Sequence, residues 1–216
     1  MRTDTKIQRD VLDELKWEPG LDHEKVGVSV DEGVVTLSGI VGSYAERLLA
    51  EKTARGVKGV RAIAENMIVR YAGDKKSSDA EIAQRVSDVL DWDAMIPRER
   101  VSVTVENGVV KLSGEVDWHY QKVRAHKCAA KISGVIRVAN LITIKASVDT
   151  GEVKDLIRQA FERQADLDAT RIQVRADGDR VILSGSVSSW AERQVAERTA
   201  WAAPGVSQLE DNLVIS

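Results

Sequence analysis

The sequence predicts an α+β protein built from three tandem α-β-β-α-β domains. Each is a small three-stranded mixed sheet with two helices packed on one face. Three observations predict it. A Leu-Ser-Gly run occurs at Leu37-Ser38-Gly39, Leu112-Ser113-Gly114 and Leu183-Ser184-Gly185. A Gly-Val pair follows each one, at Gly59-Val60, Gly134-Val135 and Gly205-Val206, always 20 residues from glycine to glycine. Upstream, Ile7, Ile82 and Val153 each lie 21 residues before Val28, Val103 and Val174. Markers that keep step three times define an internal repeat, in which each copy is one supersecondary unit.

Each copy opens with an amphipathic helix. Its apolar stripe is Ile7, Val11, Leu12, Leu15 in the first copy and Ile82, Val86, Val89, Leu90 in the second. Val153, Leu156, Ile157 and Phe161 form it in the third. These spacings follow a helical period. Asp4, Asp79 and Asp149 stand near the helix starts, as N-caps or first-turn acids.

A strand of period two follows: Val26, Val28, Val30; Val101, Val103, Val105; Ile172, Val174, Ala176. Glu32-Gly33, Asn107-Gly108 and Asp177-Gly178 then mark hairpin turns, with one extra turn residue expected in the third copy. The return strands alternate as Val35, Leu37, Val41; Val110, Leu112, Val116; Val181, Leu183, Val187. The marker glycine shares the inward parity, where a side chain under a helix is not expected to fit. A second helix fills the interval between glycines. Leu49, Thr53, Ala54 and Val57 are its expected inward positions in the first copy, and Val195, Thr199 and Ala200 in the third. Cys128 matches Thr53 and Thr199 and is expected as a small core residue. A closing strand runs over 63–69, 138–144 and 209–215. Aligned on Asn66, Asn140 and Asn212, the middle copy is one residue short. Two helices can cover one face of so small a sheet.

The order Gly-x-Val, helix, Gly-Val, then Asn with Leu or Met and a β-branched strand resembles the BON domain, named for bacterial osmotically inducible and nodulation proteins. The resemblance covers essentially the whole chain three times over. It implies a domain without catalytic residues or cofactor. It also implies links to osmotic stress and to the bacterial envelope, with anionic phospholipid as one known ligand class and potassium sensing as another. Repeat phase puts boundaries near 72–78 and 146–150, giving domains 1–73, 74–147 and 148–216. The short polar linkers imply copies that touch rather than swing.

Of 216 residues, 43% are hydrophobic, enough for packed cores. Net charge is −3, which gives no reason to expect nucleic acid as a partner. The charge is uneven. By our count residues 1–73 carry −1, residues 74–147 carry +2 and residues 148–216 carry −4, so only the middle copy is basic. A single cysteine forbids an intrachain disulfide. The start, Met1-Arg2-Thr3-Asp4, has no apolar leader, and no stretch approaches a transmembrane span. As written the chain reads as cytoplasmic, or as periplasmic if a leader has been removed.

The leading site candidate is the second helix of the middle copy. Trp118 and Tyr120 precede Arg124, Lys127 and Lys131, and the last four step by four, three and four, onto one helical face. Cations with aromatics at one end suit an anionic lipid headgroup. His119, Lys122 and His126 lie in the same run. A second set is Val34, Ile68, Val109, Ile142, Ile182 and Val214, which point away from the core and predict apolar sheet faces for a protein partner or a second copy. Trp17 and Trp92, at equivalent positions, read as caps on the core or on a contact between copies, with exposed anchoring as the alternative. His23, between Asp22 and Glu24, does not make a metal site, because adjacent side chains diverge. No Gly-x-Ser-x-Gly, Walker A or GxGxxG motif occurs. The chain therefore reads as a binding or scaffolding protein. Lipid engagement through the middle copy leads, followed by self-association or protein binding through sheet faces, then small-ion or ligand sensing.

Overall fold

The computed structural model describes residues 2–71, 77–145 and 153–215. Residues 72–76 of the linker expected near 72–78, and the whole of that expected at 146–150 with Asp149, lie outside the described residues. The first repeat contains α1 (Asp4–Trp17), β1 (Val26–Asp31), β2 (Val34–Val41), α2 (Tyr44–Gly56) and β3 (Ala62–Val69). The middle repeat contains α3 (Asp79–Trp92), β4 (Val101–Glu106), β5 (Val109–Val116), α4 (His119–Ala130), β6 (Arg137–Asn140) and β7 (Thr143–Ile144). The third contains α5 (Val153–Glu162), β8 (Ile172–Asp177), β9 (Arg180–Val187), α6 (Trp190–Trp201) and β10 (Gln208–Ile215). The α-β-β-α-β order holds three times. In each sheet the return strand is central. In the first and third repeats it pairs antiparallel with the strand before it and parallel with the closing strand.

The residues group into two compact units. One is Met1–Trp92 with Val103–Lys111 and Lys127–Ala139, and the other is Asp93–Ser102 with Leu112–His126 and Asn140–Ser216. In the first, Ile7, Val11 and Leu15 of α1 bury against Val35, Leu37 and Val41 of β2. In the second, Val153, Ile157 and Phe161 of α5 do the same against Val181, Leu183 and Val187. Each fully buried aliphatic contributes roughly 1.5–3 kcal/mol. The second helices face their sheets with alanine: Ala50 and Ala54, Ala125 and Ala129, Ala196 and Ala200 are all buried. Alanine at i and i+4 lets a helix backbone lie close to a sheet. Leu49, Thr53, Val195 and Cys128, expected to be inward, lie half-buried beside this stripe, while Thr199 is buried as expected.

Successive repeats touch inside each unit. In the first, the Tyr71 hydroxyl donates to the Val135 carbonyl at 2.5 Å. In the second, the rings of His119 and Trp201 stack with centroids 3.9 Å apart.

Three sequence expectations change. The third hairpin has no extra residue: Asp177 pairs with Arg180 as Asp31 pairs with Val34. Its glycine has moved one place earlier, so Gly178 alone takes positive φ. In the other hairpins Glu32-Gly33 and Asn107-Gly108 both do. The first arrangement is that of a II′ turn and the second of a I′ turn. The marker glycine is required for a different reason from the one expected. Gly39 sits at φ 120°, and a Cβ there would overlap the carbonyl oxygen of Lys25, not a helix. Gly114 and Gly185 meet Arg100 and Arg171 in the same way.

The middle repeat is also not short. Counting from the turn glycines, Met67, Ile142 and Leu213 all fall eight residues on, and all three are buried. Each donates its N–H to the side chain two residues earlier: Glu65, Asn140 and Asp211. Asn140 therefore matches Glu65 and Asp211 rather than Asn66 and Asn212. Ile142, expected on the outer face, is 1% exposed, and Leu141 takes the outer place.

Candidate functional site

α4 starts where Trp118 and Asp117 donate their backbone N–H groups to Gln121 Oε1, each at 3.0 Å. In the other second helices Ser43 and Ser189 cap with a hydroxyl, and Glu46 and Glu192 reach back to the preceding N–H groups. The middle repeat keeps the reach-back but carries Trp118 in place of the serine, so an indole stands at the helix entrance.

Beyond the entrance, Ala125 and Ala129 face the core. Tyr120, Arg124, Lys127 and Lys131 are exposed, with Trp118 partly so. Arg124 is held by Asp93, which follows α3, through contacts of 2.6 and 2.8 Å from Nε. In the middle repeat Arg124 pairs with Asp93 and Arg100 with Asp117. The same positions show what sets this helix apart. Lys127 corresponds to Lys52 and Arg198, so a cation there is common to all repeats. Tyr120, Arg124 and Lys131 correspond to Ala45, Leu49 and Gly56 in the first repeat and to Ala191, Val195 and Ala202 in the third.

The histidines do not join that face. His119 is packed on Trp201, and burial, helped by the Lys122 charge, pushes its pKa down to about 4. Burial lowers His126 as well. Both are neutral at pH 7. His119 occupies the helix position of Tyr44 and Trp190. Aromatic rings at three equivalent places were a signal in the sequence, hidden by the chemical difference among Tyr, His and Trp.

Trp17 and Trp92 do not cap a core: they are 84% and 89% exposed. In the first repeat Trp17 walls a shallow groove of about 310 Å³ with Glu14, Leu49, Lys52, Thr53 and Gly56. An offset of 75 residues carries Trp17, Leu49, Lys52 and Gly56 onto Trp92, Arg124, Lys127 and Lys131. The basic face of α4 thus corresponds in register to the wall of the first repeat's groove, and Trp92 to its tryptophan.

Of the outward set, Val34, Ile68 and Val214 are exposed, Val109 and Ile182 are half-buried, and Ile142 is in the core. Among the described residues, no three His, Cys, Asp or Glu side chains converge on a metal position, and no helix is long and apolar enough to cross a membrane.

Three small α+β repeats with one shared scaffold and three different surfaces define a class of tandem α+β modules in fold terms. The chain belongs to the BON domain family, whose model matches residues 3–71, 78–146 and 149–216. It is 34% identical over 139 residues to osmotically-inducible protein Y of Escherichia coli K12, a match covering 58% of this chain and 67% of that one. Among solved structures, CdsD, a structural protein of the type III secretion system of Chlamydia trachomatis, aligns over 98% of this chain and 92% of its own. Its C-terminal domain aligns over 100% of both chains. Both matches have 13% identity and a TM-score of 0.27, too weak a likeness to bear on fold or function.

Proposed function

We propose that this is a non-enzymatic binding protein of osmotic stress that engages anionic phospholipid, or an anionic envelope surface, through the middle repeat. The observation that carries the reading is the outward face of α4, where Tyr120, Arg124, Lys127 and Lys131 project opposite the buried alanines. Each cation near an anionic membrane surface contributes about 1 kcal/mol. A few cations alone hold weakly, and an interfacial aromatic supplies the second signal. Trp92, the counterpart of the groove-lining Trp17 in the first repeat, fits that part. The likeness to osmotically-inducible protein Y of Escherichia coli supports the stress connection.

The test is co-sedimentation with vesicles of phosphatidylglycerol against phosphatidylcholine at low salt. Binding to the first and not the second is expected. Equal binding to both, or to neither, overturns the reading.

A further inference from the structure

The outer face of the first repeat's sheet differs from the other two in charge. β1, β2 and β3 lay Ser29, Thr36 and Ala64 in one outward row. Ile40 pairs with Ile68 at one end of the face, and Val34 stands near the other. Over the outward positions of all three strands the one charged residue is Asp31, beside the hairpin turn. Ile68 is 59% exposed. A sheet face open to water ordinarily carries polar and charged side chains.

The corresponding faces follow that rule. In the third repeat Arg175, Asp177, Arg180 and Glu210 lie outward, with Arg180 paired to Glu210 across strands. In the middle repeat Glu106, Lys111, Glu115 and Arg137 are exposed along β4, β5 and β6.

We propose that the first repeat's sheet face is where two copies of this chain meet, sheet against sheet, about a twofold axis. In such a contact each copy presents the same patch to the other. A charge at the axis meets its own kind, and a charge off the axis must lose solvent even to find a partner, which costs stability. Among the three faces, that of the first repeat carries the least of this cost, its one charge, Asp31, standing at the hairpin end. An anionic membrane is the poorer occupant, because the outward positions of the three strands hold no cation and Arg70 stands alone past the end of β3. Strand spacings give the patch roughly 400 Å² per copy, about half of the ~800 Å² per partner of a stable complex. The dimer is therefore weak and concentration-dependent. It uses no residue of α4 and stands apart from the lipid reading.

Sedimentation velocity of the full chain, from about 5 μM to about 1 mM, tests it in the range expected for so small an interface. The wild type is expected to shift from monomer toward dimer. Ile68→Lys and the milder Ser38→Asp are expected to stay monomeric throughout, with unchanged melting temperatures. Val214→Lys, at the corresponding place in the third repeat and 64% exposed, is expected to dimerise like the wild type. A wild type that stays monomeric at the top concentration overturns the proposal. So does a dimer that survives Ile68→Lys and Ser38→Asp, or one lost equally in Val214→Lys.

Discussion

The carboxylate of Asp79 accepts the backbone N–H of Gly108 at 2.9 Å, and its other oxygen accepts that of Asn107 at 2.7 Å. Asp4 holds Gly33 and Glu32 in the same way, at 3.0 and 2.9 Å. A type I′ turn points two N–H groups outward, and the first residue of the preceding helix receives both. The acid expected as an N-cap or first-turn residue stands in the first turn, after the capping Thr3 or Ser78, and clamps helix to hairpin. Asp79→Ala is expected to cost about 1–3 kcal/mol, since it leaves two donors without their charged acceptor. Asp79→Asn, which keeps one acceptor, is expected to lose less. Chemical denaturation of both variants measures the difference.

Gly39 and Gly56 are expected to respond oppositely to alanine. At Gly39 the new Cβ overlaps the Lys25 carbonyl, and φ of 120° is unfavourable for an L residue. A loss of about 3 kcal/mol or more is expected. At Gly56, the last residue of α2, nothing lies within 4 Å of the added carbon. There alanine is expected to gain about 0.5 kcal/mol from helix propensity and a less flexible unfolded chain. Thermal melts of the two variants give the signs directly.

His119 ties stability to acid. Its folded pKa of about 4 lies below the ordinary 6.5 because burial against Trp201 disfavours the charged ring. Below pH 6.5 the unfolded chain takes up the proton first, so stability is full above 6.5 and is lost as pH falls toward 4. After discounting for residual solvent screening, the loss is about 1 kcal/mol. His119→Phe keeps a ring on Trp201 and is expected to remove this part of the pH dependence. Denaturation midpoints at pH 7 and pH 4.5 measure it.

Glu197 acts in the opposite sense. Burial, then its hydrogen bond to Asp211, raises it to about 7. Its contribution is complete below the ordinary 4.5 and is lost as pH rises through 7. Asp211, also bonded to Arg193 at 2.6 Å, is lowered and stays ionised. Glu197→Gln mimics the protonated form and is expected to flatten stability between pH 6 and pH 8. A slope unchanged from wild type contradicts the assignment.

The fold was legible because its signals are local and periodic. Ile7, Val11 and Leu15 declare a helix face, Val35 and Leu37 a strand, and Gly59 a turn, each within a few residues. The errors came where an identity stood in for a geometry. Asn140 looked like Asn66 by name, yet its amide oxygen receives the Ile142 N–H as Glu65 receives that of Met67. Trp17 and Trp92 looked like core residues by size, yet stand in solvent. The Asp4 clamp spans 29 residues, and the ring partner of His119 lies 82 positions on, at Trp201. Neither leaves a mark in local sequence. The basic face of α4 was legible because four side chains on one helix need no tertiary information to align.

The repeats share a scaffold and divide their surfaces, and the proposed lipid engagement falls to α4. The most direct measurement compares Lys127→Glu/Lys131→Glu with Lys52→Glu on phosphatidylglycerol vesicles. The double variant is expected to lose roughly thirty-fold or more in affinity, from two cations at about 1 kcal/mol each and the repulsion that replaces them. Lys52→Glu, at the position in the first repeat that corresponds to Lys127, is expected to bind as the wild type does. Equal losses in both variants, or none in either, would contradict the account.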